Sequence, residues 1–218
     1  MLDFKVKSIV HDYEVKFIDN SPAILENEIR DGDVVIIDRK IIDFYPEIKG
    51  VASKKNLLID IEAHEKQKSY EGLIPIVKKL IDSGFRKNNR IIAIGGGIIQ
   101  DIAAFTSSIM YRGVKWIFFP TTLLSMGDSC IGSKTSINFG KYKNQVGGFY
   151  PPSKIYIDLY FLDSLSYEEL QSGLGEMCHY FIVASEEDFK QYKRNYKTAL
   201  SDKKLLKKII LIQKQLKN

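Results

Sequence analysis

Ile91-Ile-Ala-Ile-Gly-Gly-Gly-Ile-Ile-Gln-Asp101 is a short apolar run that breaks into three glycines and then resumes as a second apolar run. Four consecutive apolar residues without alternation are the pattern of a strand buried on both faces of a sheet. The stretch from Ile98 to Met110 has the length of a helix, so the strand turns through glycine into it, as in one half of a βαβ unit. Glycines at such a turn let backbone N–H groups come close to a phosphate, and the helix N-terminus adds partial positive charge. The run is not G-x-G-x-x-G, because Gln100 occupies the place of the last glycine. Taken alone it reads as well as a plain tight turn.

The neighbouring segments repeat the theme. Val34-Val-Ile-Ile-Asp38 and Leu57-Leu-Ile-Asp-Ile61 are further buried-type strands on the N-terminal side. Between them and the glycine turn, the pattern predicts a helix over Tyr70 to Gly84, with Leu73, Ile76, Leu80 and Ile81 on one face and a glycine at its end. On the C-terminal side come a strand at Lys115–Phe119 closed by Pro120 and another at Ile155–Asp158. Lys5–Val10 and Tyr13–Ile18 alternate apolar with polar residues and open the sheet as a strand pair. The expected class is α/β, a Rossmann-like domain over residues 1–160.

Residues 161–218 read differently. Ser166-Tyr-Glu-Glu169 is a capping box, which predicts a helix from there through Glu176 to about Ala184. From Lys203, residues Leu205, Leu206, Ile209, Ile212 and Leu216 form one apolar stripe with lysines opposite. This is the beginning of an α-helical domain, and the sequence ends with that stripe still lacking an evident partner.

Composition excludes several classes. The formal charge is +5, but the segment from Ser185 onward carries ten Lys/Arg against four Asp/Glu, leaving the rest close to neutral. A generally basic surface for nucleic acid is therefore absent. The longest uncharged run, Trp116 to Gly127, is interrupted by Pro120 and falls short of a membrane span. No signal peptide is visible, and Cys130 and Cys178 form neither a disulfide framework nor a C-x-x-C site, which suits the cytoplasm.

Asp38, at the end of its strand, can accept hydrogen bonds from an adenosine ribose or serve as a solvated turn residue. Glu176 and His179 stand at i and i+3 on one helical face, a spacing that can present a carboxylate and an imidazole to one metal. A hydrogen-bonded structural histidine is the commoner alternative.

In chain order the sequence also carries Tyr111-Arg-Gly113, Pro120-Thr-Thr122, Asp128-Ser-x-Ile-Gly-x-Lys134, Lys143-Asn144 and Gly173-Leu-Gly-Glu176. Together with the glycine turn, these motifs resemble those of the sugar phosphate cyclases, the 3-dehydroquinate synthase-like family, from Asp38 to Ala184. The resemblance implies a lyase that uses bound NAD and a divalent metal, zinc in the first instance, to cyclise a phosphorylated keto-sugar. It implies that Asp38, Glu65, Lys68, Gly96, Gly97, Asp101, Thr121 and Thr122 hold NAD, with Phe161 and Ser164 near the adenine end. It further implies that Asp128, Lys134, Lys143 and Asn144 face the substrate, that Arg112 reaches the phosphate of a neighbouring subunit's substrate in a homodimer, and that Glu176 ligates the metal. Lys and Arg in these places suit an anionic substrate, and Lys134 and Lys143 fall in a Gly/Asn/Ser-rich stretch between strands that reads as a loop, the usual place for binding groups.

Two features depart from the family pattern. His179 stands where Lys is usual, and a Gly-Lys-Tyr-Lys-Asn stretch ends at Asn144 where a glycine before the Lys-Asn pair is expected. A cyclase for another ketose phosphate, such as a heptulose phosphate, is therefore an alternative. So are a metal-dependent polyol or alcohol dehydrogenase and a non-catalytic NAD-binding fragment. The family completes its zinc site with two histidines of a full C-terminal domain, whereas this sequence has only His11, His64 and His179. A catalytic zinc needs three protein ligands. The expectation is an N-terminal portion, or a truncated product, inactive by itself.

Overall fold

The computed structural model describes residues 3–54 and 56–214, and the backbone of 215–217. Its sheet contains β1 (Phe4–Val6), β2 (Tyr13–Phe17), β3 (Val34–Asp38), β4 (Leu57–Ile61), β5 (Ile91–Gly95), β6 (Trp116–Pro120) and β9 (Lys154–Ile157), in the order β1-β2-β9-β6-β5-β3-β4. All neighbours are parallel except β1 and β2. The continuous apolar runs lie where a doubly covered sheet needs them: β5 and β6 are buried along their whole length. Trp116, Phe118 and Phe119 of β6 fill the centre, with ring planes that tilt or stack on their neighbours. Each fully buried side chain of this size contributes about 1.5–3 kcal/mol to folding. The α/β expectation is met.

Helices cover both faces. They are α1 (Ser21–Glu28), α2 (Arg39–Phe44), α3 (Pro46–Ser53), α4 (Tyr70–Asp82) and α5 (Gly97–Ile109), followed after the sheet by α6 (Tyr167–Ala184), α7 (Glu186–Ala199) and α8 (Lys203–Lys217). The capping box at Ser166 forms as read, with both reciprocal hydrogen bonds present. β3 lies between β4 and β5, and the chain leaves β3 toward β4 but leaves β5 in the opposite direction, toward β6. The two crossovers therefore part above the carboxyl ends of β3 and β5. In open α/β sheets a ligand binds in that crevice.

Four expectations change. The first strand, expected over Lys5–Val10, spans only Phe4–Val6, and Ile9 and Val10 are exposed. Ile81 does not share the buried face of α4, whose core residues are Leu73, Ile76 and Leu80, and it is exposed instead. The Gly/Asn/Ser-rich stretch between strands, expected as a loop, is an antiparallel hairpin of β7 (Lys134–Phe139) and β8 (Tyr142–Phe149). The stripe of α8 finds partners within the chain: the helix packs on α6, on α7 and on a π-helical turn at Ser125–Ser129, burying Leu206, Ile209 and Ile210. The side chain of Leu216 lies outside the described residues.

Candidate cofactor and substrate site

A cleft of about 710 Å³ opens at the carboxyl ends of β3, β5 and β6. Asp38, Gly96, Gly97, Thr121, Thr122 and Ser164 all line it. Asp38 closes β3 and caps α2, its Oδ1 accepting the Lys40 N–H at 3.1 Å. Burial raises its pKa above the usual 3.8, against the opposing pull of the Lys40 N–H and charge. Gly96 is the N-cap of α5 and offers no side chain to the first turn, so the leading N–H groups of this helix are left to a ligand. The glycines are required at close range. A Cβ on Gly95 would stand 2.5 Å from Ile99 Cγ1, and one on Gly96 3.0 Å from Thr122 Cγ2. Next to them the Thr122 hydroxyl donates to Ser125 Oγ at 2.9 Å and fixes the turn after β6. An uncapped helix start beside a carboxylate fits the pyrophosphate and ribose of a dinucleotide.

The first turn of α5 also holds the next layer of the site. The Gln100 amide donates to Ser129 O at 2.7 Å, and the Ser129 hydroxyl returns a bond to Gln100 Oε1 at 2.7 Å, tying the helix to the π-helical turn. One residue further, Asp101 receives Lys68 Nζ at 2.9 Å, and the same ammonium donates to Asn144 Oδ1 at 2.6 Å. Lys68 is buried, with Glu65 3.8 Å away. Asn138 joins this cluster to the hairpin: its amide donates to Glu65 Oε1 at 2.8 Å and its Oδ1 accepts the Asn144 N–H at 2.9 Å. Asn144 has a left-handed φ of 57°, which asparagine tolerates better than most residues. Burial pushes the Asp101 pKa up, with Lys68 opposing, while the Asn138 hydrogen bond and then Lys68 and Lys143 hold Glu65 low.

Glu65, Lys68 and Asp101 thus gather with Asn144 in one polar cluster and do not line the cleft. Phe161 is buried and does not line the cleft either; it stands edge-on to Tyr45 at 5.3 Å between ring centres. Asp128, on the π-helical turn, accepts a hydrogen bond from the Tyr180 hydroxyl of α6. Burial and then that carboxylate raise the Tyr180 pKa, so the phenol stays protonated. Lys134 and Lys143 are exposed on the hairpin, and Arg112 is exposed with a left-handed φ of 61° just after α5. Glu176 and His179 are exposed on α6. Among the described residues, no three His, Cys, Asp or Glu side chains come together to hold a metal. Glu176, expected as a metal ligand, has no set of two further such side chains beside it among the described residues.

Sequence reading passed over Gln100, Asn138 and Tyr180. Gln100 entered only as a missing glycine, and its pairing with Ser129 depends on the fold. Asn138 gave no such signal, because it is buried directly after Ile137, out of the strand's two-residue alternation, where the hairpin register slips.

Residues 58–172 match the family described as 3-dehydroquinate synthase N-terminal. The chain belongs to that family. The 3-dehydroquinate synthase of Saccharolobus solfataricus is 36% identical over 185 residues, covering 84% of this chain and 52% of the relative. That of Clostridium tetani is 34% identical over 208 residues, covering 92% and 52%. The chain spans about half the length of the curated family members it matches. A solved structure of the 2-epi-5-epi-valiolone synthase of Streptomyces hygroscopicus subsp. jinggangensis, with NAD+ and Zn2+ bound, is similar with a TM-score of 0.87 and 25% identity, over 97% of this chain and 61% of that one.

Proposed function

We propose that the chain is the cofactor-binding portion of a 3-dehydroquinate synthase-like sugar phosphate cyclase, a redox-neutral lyase acting on a phosphorylated keto-sugar. The observation that carries this reading is the first turn of α5, which touches the dinucleotide cleft through Gly97, the π-helical turn through Gln100 and the Lys68 cluster through Asp101. The valiolone synthase, solved with NAD+ and Zn2+, supports the same cofactors here.

In this reading the α5 N–H groups at Gly97 and beyond bind the pyrophosphate, and Asp38 accepts from the ribose hydroxyls. Thr121 and Thr122 form the floor, with Ser164 at the adenine end. NAD supplies a hydride acceptor that returns the hydride later in the same turnover, so no cofactor is consumed. Lys68 fixes Asp101 and Asn144, and Asn144 with Lys134 and Lys143 presents donors to substrate hydroxyls and phosphate. Asp128, oriented by Tyr180, is positioned to exchange a proton with a substrate hydroxyl. Arg112 completes a phosphate site across a homodimer, where a fork of two N–H groups suits a phosphate. Glu176 contributes one carboxylate to a divalent metal.

The test is phosphate release from several ketose phosphates, with NAD and Zn2+ or Co2+ present and NADH absorbance followed in parallel. The reading expects phosphate release without accumulating NADH in a protein carrying the whole family length, lost in Glu176→Ala. For residues 1–218 alone it expects cofactor binding and no turnover. Accumulating NADH from a polyol without phosphate release would replace the cyclase with a dehydrogenase.

A further inference from the structure

α8 drives a lysine into the interior. Lys214 and Cys130 are only 1% and 2% exposed, and lysine is almost never buried this far without a partner. The Lys214 amine donates to Gly127 O at 2.9 Å and stands 3.0 Å from Cys130 Sγ. The two side chains are 84 residues apart in sequence. One belongs to the last helix, and the other follows the π-helical turn that presents Asp128. The cysteine is therefore not isolated: a buried lysine nitrogen donates to its sulfur.

The geometry points to Cys130 and Lys214 as a site of oxidative cross-linking, in which a peroxide joins the two side chains by an S–N bond. Thiols oxidise through the sulfenic acid, which condenses with a nearby nitrogen when one is in reach. In the first step the sulfur attacks hydrogen peroxide. An S–O bond forms, the O–O bond breaks, the thiol proton leaves with the departing oxygen as water, and sulfur is oxidised by two electrons. In the second, the lone pair of the Lys214 nitrogen attacks that sulfur. The S–N bond forms, the S–O bond breaks, and the hydroxide takes an amine proton to leave as a second water. The protein loses two hydrogens in all, and one peroxide becomes two waters. A small thiol reverses the link by attacking the sulfur. Because the bond ties α8 to the residue after the π-helical turn, it fixes the backbone next to Asp128.

The experiment treats the reduced full chain with stoichiometric hydrogen peroxide and reads intact mass and peptide maps under non-reducing conditions. The expected result is a mass lower by two hydrogens and a linked peptide pair containing Cys130 and Lys214. Dithiothreitol should remove the link, and urea present during oxidation should prevent it. Lys214→Arg and Cys130→Ser should lose it, while Cys178→Ser should keep it. Cys130 recovered as sulfinic acid, or trapped by dimedone with Lys214 unmodified, overturns the proposal. So does Cys130 that stays reduced while Cys178 is oxidised, or a link that forms equally well in urea.

Discussion

Asp38 does two jobs that one substitution can separate. Its Oδ1 caps α2, and its carboxylate faces the cleft. Asparagine caps a helix as well as aspartate does, so Asp38→Asn should keep the thermal midpoint within about 2 °C. It should weaken NAD binding roughly tenfold or more, since a hydrogen bond to a charged acceptor is worth about 1.5–3 kcal/mol. Burial raises the Asp38 pKa above 3.8. A carboxyl with a raised folded pKa costs stability above that pKa and regains it as the pH falls. Acidification should therefore weaken cofactor binding while Asp38 itself does not promote acid unfolding, and calorimetric titrations across this pH range should show an acid limb absent from Asp38→Asn. Gly97 offers a second separation. A Cβ there would meet only Ser129 Oγ at 4.0 Å. Gly97→Ala should leave the fold as stable as before, or up to about 1 kcal/mol more stable from helix propensity, yet reduce NAD affinity at the cleft it lines. At this scale the cleft residues were legible because strand ends and glycine turns mark them locally. The Lys68 cluster was legible only as a resemblance, since its members come from three separate segments brought together by the fold.

Among the elements, α6 is held by a contact that a glycine makes possible. A Cβ on Gly173 would stand 2.7 Å from Leu123 Cβ and 2.9 Å from the Leu124 backbone nitrogen. Gly173→Ala should therefore displace α6 from the segment after β6 and cost about 1–3 kcal/mol, seen as faster proteolysis within α6 to α8 before the sheet unfolds. At the opposite end of the sheet, Glu28 receives Lys154 Nζ at 2.5 Å and the Tyr156 hydroxyl at 2.6 Å. Burial raises its pKa, but those bonds and the charges of Lys154 and Arg90 outweigh it, and the net shift is downward from 4.5. Its stabilisation is complete above that value and is lost as the pH falls through the lowered pKa. Glu28→Gln should cost about 1–3 kcal/mol near neutrality and flatten the acid limb of denaturant unfolding. Elements buried on both faces, such as β5, were legible from their apolar runs. The hairpin was not, because β8 is exposed along nearly its whole length and carries no inside-outside alternation. The stripe of α8 was visible as a pattern, but its partners are helices whose placement only packing decides.

For the whole molecule, the parallel sheet followed from the repeated strand-helix alternation, whereas the order β4-β3-β5-β6-β9 that creates the crevice is a property of the folded chain. The proposed use of Arg112 across subunits predicts a dimer by light scattering. A monomer at high concentration would remove Arg112 from the substrate site. The central claim is that the crevice above β3 and β5 is a dinucleotide site that the described residues already build. Calorimetric titration of NAD into the folded 218-residue chain tests it most directly. Saturable binding of one NAD per chain is expected, weakened by Gly97→Ala and by Asp38→Asn. No heat at millimolar NAD from a chain whose circular dichroism shows it folded would contradict it.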